Sequence, residues 1–129
     1  MNIPLVDLKA QYNSIKREID SAIQDVLDTT QFILGPRIEK FEKDYAKFCG
    51  AKFCVGVSSG TSAVHLALAT SCIKPGDEVI TVPNTFIATT ECISLIGGRI
   101  KFVDIDKETC NIDAGKLEKA ITSKTKAIL

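Results

Sequence analysis

Between residues 8 and 27 the apolar positions Leu8, Tyr12, Ile15, Ile19, Ile23 and Val26 return every three or four residues, with charged side chains between them. That is the spacing of an amphipathic helix. Asp28, Thr29 and Thr30, which favour caps and turns, end the run. A second helix is predicted after Gly35. Pro36 suits its first turn, where proline's missing N–H leaves no bond unmade, and Ile38, Phe41, Tyr45 and Phe48 form its stripe up to Gly50. The pattern then changes. Lys52 to Val57 reads as a strand, Ser58-Ser59-Gly60 as a turn of small residues, and Thr61 to Thr70 as a helix. Pro75-Gly76-Asp77 turns the chain into a second strand, Glu78 to Val82. Pro83-Asn84 interrupts it, and Thr85 to Ile96 reads as a helix closed by Gly97-Gly98. Arg99 to Asp104 is a third strand, Asp113 caps a short helix through Ala120, and Thr125 to Leu129 is a fourth strand.

Strands and helices alternating at this spacing predict an α/β fold with right-handed crossovers and a mostly parallel sheet. Residues 1–50 form a helical segment and residues 51–129 the α/β part. The last predicted strand coincides with the end of the chain. It reads either as the edge of a truncated sheet or as a terminal strand closing a small fold.

Composition narrows the classes. With 129 residues, 45% of them hydrophobic, the chain suits one domain with a real core. Sixteen basic and sixteen acidic residues balance, so no basic field argues for nucleic acid or an anionic membrane as partner. Cys49, Cys54, Cys72, Cys92 and Cys110 form no C-x-x-C pair, and no metal site is expected. They read as reduced, mostly buried small hydrophobes of a cytoplasmic protein. Met1 to Asp7 shows no basic patch followed by an apolar stretch and is not expected to be a signal peptide. No apolar run is long enough to span a bilayer as a helix.

The strongest local chemistry lies in Val57-Ser58-Ser59-Gly60-Thr61-Ser62-Ala63, where a predicted strand turns tightly into a helix. Free N–H groups and the helix dipole at such a start attract anions, Gly60 permits close approach, and Thr61 and Ser62 add hydroxyl donors. Neither the phosphate-loop Gly-Lys-Ser/Thr nor G-x-G-x-x-G is present. The local pattern leaves two readings open, a phosphate monoester site and a hydroxyl-capped helix with nothing bound. Phe86, at the predicted start of the helix after the second strand, either stacks on a flat ring at the carboxyl end of the sheet or packs into the core. His65, the one histidine, reads as structural, and Asp104 and Asp106 as turn formers rather than an acid–base pair.

Taken in order, these segments resemble the DegT/DnrJ/EryC1/StrS aminotransferases. The stretches that carry the likeness are Asp7-Leu8-Lys9-Ala10-Gln11-Tyr12, Phe32-Ile33-Leu34-Gly35-Pro36, Phe41-Glu42, Ser59-Gly60-Thr61-Ser62-Ala63, Leu66-Ala67-Leu68, Pro75-Gly76-Asp77-Glu78-Val79-Ile80, Thr85-Phe86-Ile87-Ala88-Thr89, Phe102-Val103-Asp104-Ile105-Asp106 and Thr125-Lys126-Ala127-Ile128. The resemblance implies the N-terminal portion of an aspartate-aminotransferase-type (fold type I) large domain, with helices on both faces of its sheet. It further implies pyridoxal 5′-phosphate as cofactor, a homodimer, and transfer of an amino group from a donor such as glutamate to a nucleotide-linked keto sugar. By the same resemblance Thr61 and Ser62 hold the cofactor phosphate, Phe86 stacks on the pyridine ring, and Gly35 and Pro36 belong to a loop near the substrate entrance. The family's cofactor-bearing lysine and the aspartate on the pyridine nitrogen fall after Leu129, so no catalytic residue is assigned here, and Lys124 and Lys126 are not candidates. The alternative is a non-catalytic fragment or remnant that binds phosphate or a partner chain only. The lysine position that separates these aminotransferases from their dehydratase relatives is likewise outside the sequence.

Overall fold

A computed structural model describes residues 5–129, and the part of the leader expectation that concerns Met1–Pro4 lies outside them. The chain divides into two units, one ending at Gly56 and the other spanning Val57–Leu129.

The first unit is built on two helices. Helix α1 (Leu8–Thr29) starts on the Asp7 side chain, which accepts the Ala10 N–H at 2.9 Å. It departs from helical geometry at Ile15 (φ −123°, ψ 16°). Asp28 and Thr29 do not stop it. The Thr29 hydroxyl bonds back to the Asp25 carbonyl at 2.7 Å and Asp28 accepts from Gln24 at 2.7 Å, so both polar side chains are satisfied within the helix. Thr30 then ends it in the left-handed region. Helix α2 (Pro36–Phe48) is tied to α1 by Arg37, whose guanidinium donates to the Asp25 carboxylate at 2.9 and 2.6 Å. Phe41 and Tyr45 stack at 5.5 Å along its exposed face. Gly50 closes it at φ 64°, with Ala51 N–H on the Ala46 carbonyl and Gly50 N–H on that of Lys47, the paired bonds of a Schellman ending.

Residues 52–57 do not form the first strand that their alternation predicts. A strand exists through its ladder, and these residues pair with no strand among the described residues; the Gly56 N–H goes instead to the Glu42 carboxylate at 2.7 Å. Within the segment only Cys54 is half-buried, and Phe53 and Val55 on either side of it are open.

In the second unit, strand β1 (Glu78–Thr81) lies at the centre of a three-stranded sheet of order β2-β1-β3, flanked by β2 (Arg99–Phe102) and β3 (Thr125–Ile128). Both pairings are parallel, as the alternating pattern predicted. Val79 and Ile80 are fully buried and Thr81 nearly so, which is why a central parallel strand reads as an unbroken apolar run. Helices α3 (Gly60–Thr70) and α4 (Ala88–Leu95) pack together, and Leu68, Cys92 and Ile93 close with Val79 into the core, with Ile73, Ile100 and Ala127 against it. Asp113 caps α5 (Ala114–Ala120) as read, accepting from Gly115 and Lys116. Helix α4 begins three residues later than predicted. Thr85, the residue able to cap an earlier start, spends its hydroxyl on that of Thr89 at 2.9 Å, and Thr85–Ile87 form a turn.

The cysteines depart from expectation. Only Cys92 is buried, while Cys49, Cys72 and Cys110 are exposed. Cys72 and Cys110 hold left-handed turn positions (φ 56° and 57°) and Cys49 is a helix cap, and such positions lie at the surface. No helix among the described residues is long and apolar enough to cross a membrane.

Ile93 is fully enclosed at the meeting of α3, α4 and β1. Ile93→Ala is expected to cost about 2–5 kcal/mol through lost burial and the cavity left behind, read as a lowered denaturation midpoint of the whole protein.

Candidate functional site

The turn into α3 is organised by serine hydroxyls. Ser59, in an extended conformation, is the N-cap, and its hydroxyl accepts the Ser62 N–H at 3.1 Å. Its carbonyl accepts from Ala63 at 3.0 Å, which fixes where the helix begins. The Ser62 hydroxyl stands 3.1 Å from those of both Ser58 and Ser59. That leaves the N–H groups of Gly60 and Thr61 without an acceptor among the described residues, as the first N–H groups of a helix are when no side chain reaches them. The Thr61 hydroxyl is exposed and also without a partner among them. A Cβ added at Gly60 would meet nothing within 4 Å, so the space in front of these donors is open.

The second feature is the loop after β1. Phe86 lies in the turn before α4 rather than in the helix itself, and its ring is 74% exposed. Within this chain it does not pack into the core. The first turn of α3 is joined to the middle of α4 by the buried Cys92, whose thiol donates to the Thr61 carbonyl at 3.5 Å. The chain leaves α3 for the start of β1 and leaves the end of β1 for α4. The first turn of α3 and the Phe86 loop therefore lie toward the carboxyl end of the sheet, where open α/β folds bind ligands.

Two exposed N–H donors, hydroxyls beside them and the positive end of an eleven-residue helix fit a phosphate monoester dianion. An exposed aromatic ring at the same end of the sheet fits a flat heterocycle. Together the two features fit a phosphorylated flat heterocycle such as pyridoxal phosphate. The sequence reading singled out Gly60, Thr61 and Ser62; it passed over Ser58 and Ser59 as turn residues. The hydroxyl-capped start that the sequence offers is present, with Ser59 as the capping residue.

Gly35 and Pro36 belong to the first unit. Gly35 is the N-cap of α2 at φ 96°, a backbone conformation that favours glycine, and a Cβ there would come 3.3 Å from the amide oxygen of Gln31, the tip of a flexible side chain. Pro36 holds the first helical position and, with Asp25, Gln31, Leu34 and Arg37, lines a cleft of about 200 Å³. His65 is half-buried and has no hydrogen bond among the described residues. Asp104 and Asp106 prove to be turn formers. Asp104 accepts the Ile105 N–H at 2.9 Å, and Asp106 accepts from Thr109 and Glu108 in a loop closed by the Ile105–Ile112 bridge. The Ile105 N–H, followed by Lys116, holds the Asp104 carboxyl below its ordinary value. The Thr109 N–H and hydroxyl do the same to Asp106. Both stay ionised near neutrality, which suits a loop staple and not a general acid.

Comparison with known proteins identifies the family. The sequence model of the DegT/DnrJ/EryC1/StrS aminotransferase family matches residues 13–129. The UDP-2-acetamido-2-deoxy-3-oxo-D-glucuronate aminotransferase of Pseudomonas aeruginosa is 45% identical over 127 residues, 98% of this chain and 35% of that protein. Among solved structures, DesV of S. venezuelae in complex with a ketimine intermediate superimposes with a TM-score of 0.89 at 40% identity, over 98% of this chain and 34% of that one. The E. coli GDP-4-keto-6-deoxy-D-mannose-3-dehydratase with bound hydrated PLP gives 0.77 at 39% identity, over 84% and 29%. The chain thus spans about a third of the length of the relatives it matches.

The carboxyl of Asp106 titrates lower when folded than its ordinary 3.8. Its contribution is present above 3.8 and is lost as pH falls through the lower folded value. Asp106→Asn is expected to make the acid side of the stability profile shallower, measured as denaturation midpoint against pH; an unchanged slope counts against this staple.

Proposed function

The chain belongs to the DegT/DnrJ/EryC1/StrS aminotransferase family, and we propose that it forms the cofactor-holding part of an enzyme that moves an amino group onto a nucleotide-linked keto sugar with pyridoxal 5′-phosphate. The observation that carries this reading is the pair of unclaimed N–H groups at Gly60 and Thr61, set among hydroxyls at the open start of α3. The relatives support the substrate class: the P. aeruginosa protein is named for a UDP-linked oxo sugar acid.

Bound there, the cofactor supplies an electron sink for amino transfer. The residues of this chain bind and orient. The N–H groups of Gly60 and Thr61 and the hydroxyls of Thr61 and Ser62 hold the phosphate, and the Phe86 ring sets the plane of the heterocycle. None of them moves a proton. Gly35 and Pro36 shape the approach of the sugar. The lysine that carries the cofactor is assigned to the part of the relatives' length that this chain does not span. A 129-residue chain treated with pyridoxal phosphate and borohydride is then expected to retain no stoichiometric pyridoxyl group on a single lysine. Mass spectrometry of the trapped peptides checks this.

A dehydratase activity is the second reading, favoured by the likeness to the E. coli 3-dehydratase at 39% identity. Incubating the whole protein with glutamate and a nucleotide-linked keto sugar separates the two: an amino sugar marks the transferase, a deoxy sugar the dehydratase. Phe86→Ala is expected to raise the dissociation constant for pyridoxal phosphate roughly two- to tenfold, the worth of one aromatic stack. An unchanged constant in equilibrium titration removes Phe86 from the site.

A further inference from the structure

We infer that Ser58 is a positioning residue for the phosphate, acting through the hydroxyl of Ser62; the inference rests on the cofactor reading proposed above. A serine hydroxyl has one hydrogen to give and two lone pairs to receive. The Ser62 oxygen has two hydroxyl neighbours, Ser58 and Ser59, each at 3.1 Å. Two arrangements satisfy these distances. In one, Ser62 donates to a neighbouring serine, and no hydrogen is left for a ligand. In the other, Ser58 and Ser59 both donate to Ser62, whose hydrogen then points out of the cluster. An anion in front of Gly60 and Thr61 selects the second, because only that arrangement offers it the Ser62 hydroxyl beside the two N–H groups and the Thr61 hydroxyl.

The Ser59 hydroxyl already accepts the Ser62 N–H, which takes one of its two lone pairs and leaves its hydrogen free to go to the Ser62 oxygen. Ser58 makes no other hydrogen bond among the described residues. Its hydroxyl is the one member of the trio whose whole effect passes through Ser62. Donation by Ser58 fills a lone pair of Ser62 and strengthens the bond that Ser62 gives away, the ordinary cooperativity of hydroxyl chains. Ser58 is exposed and caps nothing, so its removal leaves the start of α3 intact.

The test is a double-mutant cycle on the whole protein with pyridoxamine 5′-phosphate, which binds without a covalent link, and with pyridoxamine as the control lacking phosphate. Affinities are read by isothermal titration. Ser58→Ala is expected to weaken binding of the phosphate ester roughly two- to tenfold, the range of one hydrogen bond. In a Ser62→Ala background the same change is expected to cause no further loss, and binding of pyridoxamine is expected to be the same in all four proteins. A Ser58→Ala protein that binds like the wild type, or losses at Ser58 and Ser62 that multiply, overturns the inference while the cofactor reading stands on binding of the phosphate ester by the wild type. A Ser62→Ala change without effect likewise overturns the inference alone, whereas a wild type that does not bind the phosphate ester overturns both.

Discussion

The pairing of β1 on both edges sets the position of the start of α3 and of the Phe86 loop. Its backbone is engaged by β2 on one side and β3 on the other, and Val79 and Ile80 are enclosed from both faces. A strand so held has its carboxyl end fixed, and the chain must leave there through Val82–Ile87. Helix α3 runs back to the start of the same strand, so its own start lies toward that carboxyl end. Leu68, Cys92 and Ile93 lock both helices to Val79 through nonpolar contact. The polar donors of the turn are thus placed by a core that contains none of them, and a loop positioned by a rigid scaffold is the usual home of binding residues.

The periodic segments were legible because a helix repeats its faces every three to four residues whether or not the stripe is covered within this chain. Helices α1 and α2 announce themselves through three-to-four-residue spacings, and the three sheet strands as short segments bounded by turn residues. The caps at Ser59 and Asp113 follow from side-chain chemistry within three residues, which a sequence displays directly. Residues 52–57 show where such reading ends. Their alternation is real, but a strand needs a partner's N–H and C=O groups, and pattern within a segment carries no information about whether that partner stands beside it. The end of α1 shows the converse. Asp28 and Thr29 prefer turns in general, yet at this position their side chains bond within the helix, and it continues through both.

For the candidate site the sequence displayed the members and hid the wiring. A strand, a turn of serines and glycine, and a helix start are enough to nominate Gly60, Thr61 and Ser62 as anion donors. That Ser58 and Ser59 converge on one oxygen depends on how tightly the chain turns at Gly60, a three-dimensional fact. Likewise, no rule of composition separates a stacking phenylalanine from a core one. The exposure of Phe86 excludes the core within this chain, and the order of motifs along the sequence had already favoured a ring-facing role.

The magnitudes rank what each part of such a site does. A hydrogen bond to a charged group contributes about 1.5–3 kcal/mol and the helix dipole about 0.3–1 kcal/mol, rising toward about 2 kcal/mol where burial is partial. One aromatic stack adds about 0.5–1.5 kcal/mol. On the proposed reading, then, the two N–H groups at Gly60 and Thr61 outweigh the ring at Phe86, and the phosphate end fixes where the cofactor sits while the aromatic fixes only its tilt. The serine hydroxyls stand between these. They are neutral donors whose contribution depends on which way their hydrogens point, so a residue that never touches the ligand gains influence by deciding that direction. An anion site assembled from backbone and hydroxyls also carries no side-chain charge of its own to neutralise, and it reads the geometry of the phosphate more than its charge.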